Sequence, residues 1–320
     1  MIDLSVIIPT YNHEKYIEKA IKSVLMQKVN FNMEVLIGED CSTDHTREIL
    51  KQIEPNLPTY FHIIYRDKNI DKGQYNFDDL HARMKGRYYI TLEGDDYWLY
   101  ENKLQEQYDF LESHKEYLAV AHNVIVVNGE NERINKRYPE CKKNDYDFNE
   151  FMKGILPGQN ASIMYRNWYL NKELVPEFRF NEGPGDIINA FKLAANGKTY
   201  CIQKKWSAYR YVISSGSSYS ATVKYDYSLE LNRIKAFYEY AVKYCNKNVI
   251  KGIENKYCWY LLVCLIMKKE NIGISEYINF VKNAYYKKSN LLYCIKKGII
   301  TPFKKIKYKL EITYEKKMYK

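Results

Sequence analysis

Glu93-Gly94-Asp95-Asp96 puts three carboxylates within four consecutive residues, and the apolar run Tyr88–Leu92 directly before them reads as a buried strand. Acids gathered at a strand end converge on a divalent cation. Mg²⁺ or Mn²⁺ takes oxygen ligands and keeps positions open for phosphate oxygens. A cation there offsets the charge that develops on a diphosphate leaving group. A further acid, Asp186, follows Gly183-Pro184-Gly185 and precedes a helical pattern over 187–195. The glycines can aim it into a cleft, and the same residue suits a helix N-cap. Two more polar clusters are Pro9-Thr10-Tyr11-Asn12 and Glu39-Asp40-Cys41-Ser42-Thr43-Asp44. Taken singly, such clusters are what turns and caps use. Three of them at three strand ends make one cleft.

The elements that hold these clusters follow from the spacing of apolar residues. Leu4–Ile8 is a continuous apolar run that Pro9 is expected to stop. Ile17, Ala20, Ile21, Val24 and Leu25 fall on one helical face. Val35–Ile37, Phe61–Tyr65 and Tyr88–Leu92 read as the next strands, with a helix carrying Ile49, Leu50 and Ile53 and a second, short helix between them. Strands alternating with helices imply βαβ units, a mostly parallel Rossmann-like sheet and a ligand cleft along the carboxyl ends of the strands. Further on, Leu118–Val127 and Asn160–Met164 read as strands, and 148–153 and 187–195 as helices. From about residue 215 helical periodicity dominates, so the expected division is 1–215 and 216–320.

In a chain of 320 residues, 46% hydrophobic and 28% charged, a globular protein is expected and disorder is excluded. The longest apolar run, Cys258–Met267, is about half of what a spanning helix needs, and no secretory leader is expected before Leu4. Seven scattered cysteines without a CxxC pair fit reduced thiols and a cytoplasmic setting. The net charge of +10 is lopsided: residues 251–320 hold 16 Lys and 5 Glu with no Arg or Asp. Phe303, Ile306 and Leu310 among lysines form a basic amphipathic pattern suited to an anionic membrane surface. No nucleic-acid motif accompanies the lysines, so nucleic acid is not expected as a partner.

The stretches SVIIPTYNHEKYIEKAIKSVLMQ (5–27), VLIGEDCSTDHT (35–46), GRYYITLEGDDYW (86–98) and GDIINAFKLAANGK (185–198), with YR at 209–210, are similar to the family-2 inverting glycosyltransferases of the GT-A fold. The resemblance covers roughly residues 3–220. It implies a UDP-sugar donor, a saccharide or lipid-linked saccharide acceptor, Mn²⁺ or Mg²⁺, and synthesis of a cell-surface glycan from the cytoplasmic side.

Carried over by position, it implies that Pro9, Thr10, Tyr11 and Asn12 line the nucleotide pocket, with Tyr11 against the base. Asp40 accepts from the uracil imide N–H, and Ser42 and Asp44 shape that loop. Asn69, Gly73 and Asn76 lie beside the diphosphate. Glu93, Gly94 and Asp95 match a DxD-type motif, in which Asp95 and Asp96 are the metal ligands. Arg210 belongs to the donor site, and Asp186 matches the general base. Trp98 is a candidate for stacking on the acceptor sugar.

Two positions depart from the family's pattern. Gly185 stands where an acid often precedes the base, and Val212 stands where many members have a histidine near the metal or diphosphate. Arg210, Ser214, Ser215 and Ser217 are the substitutes at hand for that histidine. Two rival readings remain. A nucleotidylyltransferase would want a glycine-rich loop after the first strand, which PTYNHEK lacks. The other is a non-catalytic sugar-nucleotide-binding or scaffold protein with the basic tail as its interaction surface.

Overall fold

The computed structural model describes residues 1–69, 73–178, 185–212, 227–266 and 274–297. The chain divides into two compact units, Met1–Lys224 and Tyr225–Lys320. The boundary expected near residue 215 falls outside the described residues, as do Ser214, Ser215, Ser217, Phe303, Ile306 and Leu310.

The first unit begins with β1 (Leu4–Thr10), α1 (Ile17–Leu25), β2 (Met33–Glu39), α2 (Thr46–Ile53), β3 (Phe61–Tyr65), α3 (Gln74–Arg83) and β4 (Tyr88–Thr91). Strands β3, β2, β1 and β4 lie side by side and parallel. Leu4, Val6, Ile7 and Ile8 are fully buried, as a strand covered on both faces requires. Pro9 does not end the strand. It pairs with Gly38 inside β1, because β4 has already stopped at Thr91, opposite Ile7, and no ladder donor is needed from Pro9. In α1 the residues Ile17, Ala20, Ile21 and Val24 turn inward as expected, while Leu25 faces solvent.

The sheet continues through β5 (Tyr97–Trp98), β6 (Tyr117–Val127), β7 (Asp145–Tyr146), β8 (Met164–Arg166) and β9 (Lys198–Arg210), with α4 (Lys103–Ser113), α5 (Phe148–Met152) and α6 (Gly185–Asn196) between them. The short antiparallel β8 joins β4 to β6, and the long β9 runs parallel to β6. Parallel partners dominate the register, so the α/β class and the mostly parallel sheet are as the sequence implied. Residues 160–162 form a tight turn rather than the start of a strand, and β8 begins only at Met164.

The second unit holds α7 (Tyr227–Tyr244), α8 (Lys247–Ile266), α9 (Ile274–Asn283) and a helical stretch over 287–297. Leu231, Ile234, Tyr257, Leu261 and Cys264 form its core. Glu254 is buried there and accepts from the amides of Tyr285 and Tyr286 at 2.9 and 2.7 Å and from Asn290 Nδ2 at 3.0 Å. A carboxylate on the first amides of a helix suits the positive end of its dipole. No helix among the described residues is long and apolar enough to cross a membrane.

Candidate active site

The loops after β1 and β2 are knitted into one edge. The Asp40 amide donates to Thr10 O at 3.0 Å, so strand pairing runs on past the ends of both strands. Asn12 and Cys41 then adopt left-handed backbone, φ 57° and 58°, which turns both chains sharply. Across the gap the Asn12 amide donates to Ser42 Oγ (3.0 Å), Thr43 N to Asn12 Oδ1 (2.8 Å), His13 N to Thr46 Oγ1 (2.8 Å) and Glu14 N to Asp44 Oδ2 (3.0 Å). Pro9 and Thr10 are buried behind this seam, while the Tyr11 ring stands exposed beside it. Ser42 serves the seam itself.

Asp40 is 1% exposed. Its Oδ2 accepts from Asn69 Nδ2 at 2.7 Å, and its Oδ1 is buried with no hydrogen-bond partner among the described residues. Burial pushes the carboxyl up to about 6; the Arg66 charge pulls it back and Glu39 adds to the rise. Leaving a buried acceptor unmade costs about 1–3 kcal/mol. Gly73, at φ 91°, brings the start of α3 to this spot: a Cβ there would lie 3.7 Å from Asp40 Oδ2.

Asn69 and Asn76, expected beside a diphosphate, are used otherwise. Asn69 holds Asp40. Asn76 is buried, accepts from Arg66 Nε at 3.1 Å and donates to Gly38 O at 2.8 Å. It fills the space above Gly38, where a Cβ would come within 2.2 Å of its Oδ1.

The other end of the edge carries the acids. Gly94 donates to Pro9 O at 3.1 Å and packs so closely that a Cβ would meet Thr10 Oγ1 at 2.6 Å and His13 Nδ1 at 2.7 Å. Glycine is thus required for the acidic turn to lie against β1. Glu93 accepts from Asn160 Nδ2 (3.0 Å) and Gln159 Nε2 (3.3 Å). Burial, then the negative charges of Asp186 and Asp95, push its carboxyl up to about 7. Asp186 lies in the first turn of α6 and accepts from Tyr138 OH at 2.9 Å. Burial raises its pKa, and the bonds from Tyr138 and from its own backbone amide hold part of that rise back.

Three residues expected in the site are engaged with the protein instead. Asp96, expected to ligate metal, points inward: its Oδ1 accepts from the Arg210 amide at 2.7 Å and its Oδ2 from Gln159 Nε2 at 2.8 Å. Burial and the Asp95 and Glu93 charges push its pKa well up. Arg210, expected in the donor site, is 1% exposed and spends its guanidinium on the protein. It donates to Asp95 O (2.8 Å), Asn128 O (2.7 Å), Gly129 O (3.2 Å) and Asn131 Oδ1 (2.7 Å), and lies 4.0 Å over the Tyr16 ring. Trp98, expected to stack on an acceptor sugar, is 2% exposed; its indole donates to Ala161 O at 2.8 Å and Lys103 Nζ sits 4.2 Å from its ring. It is a core residue that supports the 160–162 turn.

The sequence reading missed Gln159, Asn160 and Tyr138. Gln159 lies just before, and Asn160 at the start of, the strand expected over Asn160–Met164; Tyr138 sits in a connection with no periodicity at all.

Asp95 differs from its neighbours. Among the described residues nothing donates to its carboxylate; only its backbone oxygen is held, by Arg210. No group of three His, Cys, Asp or Glu among the described residues is arranged to hold a metal ion. One open carboxylate at a cleft fits Mg²⁺ or Mn²⁺ of the kind that takes most ligands from phosphate oxygens and water, and does not fit an all-protein cage.

The parallel half-sheet and the acids at its strand ends define the class: a GT-A-type nucleotide-sugar fold. The sequence profile for glycosyl transferase family 2 matches residues 5–177, and the chain belongs to that family. Among curated proteins it is 39% identical over 108 residues to a putative teichuronic acid biosynthesis glycosyltransferase, TuaG, of Bacillus subtilis, covering 34% of this chain and 41% of that one. It is 32% identical over 123 residues, 38% of this chain and 46% of the other, to WfaP of Escherichia coli, a UDP-Glc:alpha-D-GlcNAc-diphosphoundecaprenol beta-1,3-glucosyltransferase. The chain spans about half the length of the curated relatives it matches.

Two solved structures share the fold. Residues 1–349 of S. aureus TarS, in complex with UDP-GlcNAc, superpose with a TM-score of 0.62 at 17% identity, over 89% of this chain and 81% of that one. The mannosyltransferase PcManGT of Pyrobaculum calidifontis, in complex with GDP-Man and Mn²⁺, gives a TM-score of 0.51 at 13% identity, over 94% and 87% of the two chains.

Proposed function

We propose that the chain is an inverting glycosyltransferase that moves a sugar from a UDP-linked donor to a saccharide hydroxyl in the synthesis of a cell-surface glycan. The observation that carries the donor assignment is the buried, unpartnered Oδ1 of Asp40. A uracil ring offers it an imide N–H, and the exposed Tyr11 stands ready at the ring's face. At the other end Asp186 takes the proton of the acceptor hydroxyl. The hydroxyl oxygen bonds to the anomeric carbon as the bond to the diphosphate breaks, and the electron pair leaves on the diphosphate oxygen. A base whose pKa burial raises accepts that proton more readily than an ordinary carboxylate. Mg²⁺ or Mn²⁺ held by Asp95 would offset charge on the diphosphate.

Family membership supports transfer chemistry. A fold neighbour solved with UDP-GlcNAc and a relative whose name specifies UDP-Glc support a UDP donor. That relative's name, with its diphosphoundecaprenol-linked acceptor, supports a lipid-linked saccharide as acceptor, and the teichuronic acid relative supports a cell-surface product. A cytoplasmic enzyme touching an anionic membrane suits such an acceptor. In the second unit Leu291, Leu292 and Ile295 are 61%, 59% and 52% exposed on one face of the 287–297 helix, flanked by Lys287, Lys288 and Lys296.

Thermal-shift titration with UDP, GDP and CMP, with and without Mn²⁺, tests the donor site, because a ligand that binds the native state raises the midpoint by mass action. UDP alone among the three is expected to stabilise, more strongly with Mn²⁺. With Asp186→Asn, UDP still stabilises but sugar transfer is lost. Transfer that survives this substitution removes Asp186 as the base, and no response to any nucleotide leaves the scaffold reading.

A further inference from the structure

We propose that Tyr138 is the positioning residue of this reaction, its hydroxyl fixing Oδ2 of Asp186 and so setting the direction in which the carboxylate meets the acceptor. The inference rests on Asp186 being the base. It concerns the connection between β6 and β7, a segment to which the sequence assigns no role.

That connection is pinned on both sides of Tyr138. Before it, Arg133 bridges to Val127 and the Ile134 amide donates to Val126 O at 3.0 Å. After it, Glu140 bridges to Leu156 and its Oε2 accepts from the Val124 amide at 3.0 Å. Between these anchors Lys136 Nζ lies 3.5 Å from the Tyr211 ring centre, and the Tyr138 ring meets Tyr209 edge to face at 5.5 Å. The phenol therefore reaches Asp186 Oδ2, at 2.9 Å, from a fixed direction.

Among the described residues, groups on three other elements bear on Asp186. Glu93 comes from the turn after β4, Tyr165 from β8 and Tyr138 from the 128–144 connection. Tyr138 is the one with a hydrogen bond to the carboxylate among them. Burial and the Asp186 and Glu93 charges hold its hydroxyl well above the ordinary tyrosine pKa, so it stays a donor and never competes for the acceptor's proton. A base oriented by a third group is the arrangement that proton-abstracting sites share.

Tyr138→Phe removes one oxygen and keeps the ring against Tyr209. The expected result is a kcat lower by about 10- to 100-fold, the size of one hydrogen bond to a charged group, with the KM for the donor and the thermal midpoint response to UDP unchanged. The pH profile adds a readout that a packing role would not move. The hydroxyl favours the ionised carboxylate, so its loss raises the pKa of Asp186. The acidic limb of kcat/KM then moves to higher pH, and the deficit shrinks as pH rises.

Asp186→Asn is run beside it. If it is inactive while Tyr138→Phe keeps the wild-type kcat and limb, the positioning role is overturned and the base stands. If Tyr138→Phe loses activity equally at all pH values together with its UDP response, Tyr138 is structural and the proposal fails. If Asp186→Asn is active, the base assignment itself is what failed.

Discussion

Asp40 carries an electrostatic cost of its burial. A carboxyl whose folded pKa stands near 6 exceeds its unfolded value, so the native state binds that proton more tightly and its charge costs stability at neutral pH. The cost is present above pH 6 and is relieved as pH falls through 6 toward the unfolded value. Asp40→Asn is therefore expected to raise the thermal midpoint of the free protein at pH 7.5 while abolishing stabilisation by UDP. The same sign makes UDP affinity of the unmodified protein fall between pH 7 and 5, as the acceptor oxygen gains its own proton. Isothermal titration at those two pH values checks it, and an affinity that rises on acidification contradicts the uracil contact.

At the scale of elements, the acidic turn after β4 is closed by one bond of its own, Asp96 N to Glu93 O, and is otherwise held by its neighbours. Arg210, the last residue of β9, grips Asp95 O, and its amide grips Asp96; Gln159 and Asn160 hold Asp96 and Glu93. Arg210→Lys cannot span four acceptors with one ammonium. It is expected to lower the thermal midpoint and to reduce kcat, while the preference for UDP over GDP in thermal shift stays as it was. A lost preference would tie Arg210 to the nucleotide after all. Gly94→Ala is expected to do similar damage from the opposite side, by driving a methyl into Thr10 and His13; a variant as active as the parent would say the turn has room.

Much of this scale was legible. The βα alternation, the three polar strand ends and the place of Asp186 follow from periodicity and turn chemistry. The roles of Asn76, Asp96, Arg210 and Trp98 did not, because a sequence shows residue type and not the direction in which a side chain leaves its strand. Asp96 and Asp95 are chemically identical neighbours. Only the inward donors at Arg210 and Gln159 distinguish them.

For the molecule as a whole, the division of charge follows the division into units. The first 250 residues are close to neutral, and the 16 lysines of 251–320 belong to the second unit. Each lysine near an anionic bilayer contributes about 1 kcal/mol, and exposed leucines add an apolar contact. Flotation with vesicles should show binding to anionic and not to neutral phospholipid, weakening as salt rises. Substituting Ser for Leu291, Leu292 and Ile295 together should weaken it further. Equal binding to neutral vesicles, or none to either, overturns the membrane role. This part of the chain was the least legible: alternating lysine and apolar residues specify a surface but not its partner.

The seam between the loops of β1 and β2 has one more consequence. Asp40 follows β2, Asn69 follows β3 and Gly73 caps α3, whereas Glu93 and Asp95 follow β4 and Asp186 lies in α6, with β1 between the two sets. Under the proposed function, recognition of the nucleotide and transfer of the sugar are then separate cassettes on a common spine. On that proposal a graft of 39–46 and 66–76 together is expected to exchange the nucleotide preference as a unit, so that a lineage could change its donor by drift in one pair of loops while its chemistry is inherited intact.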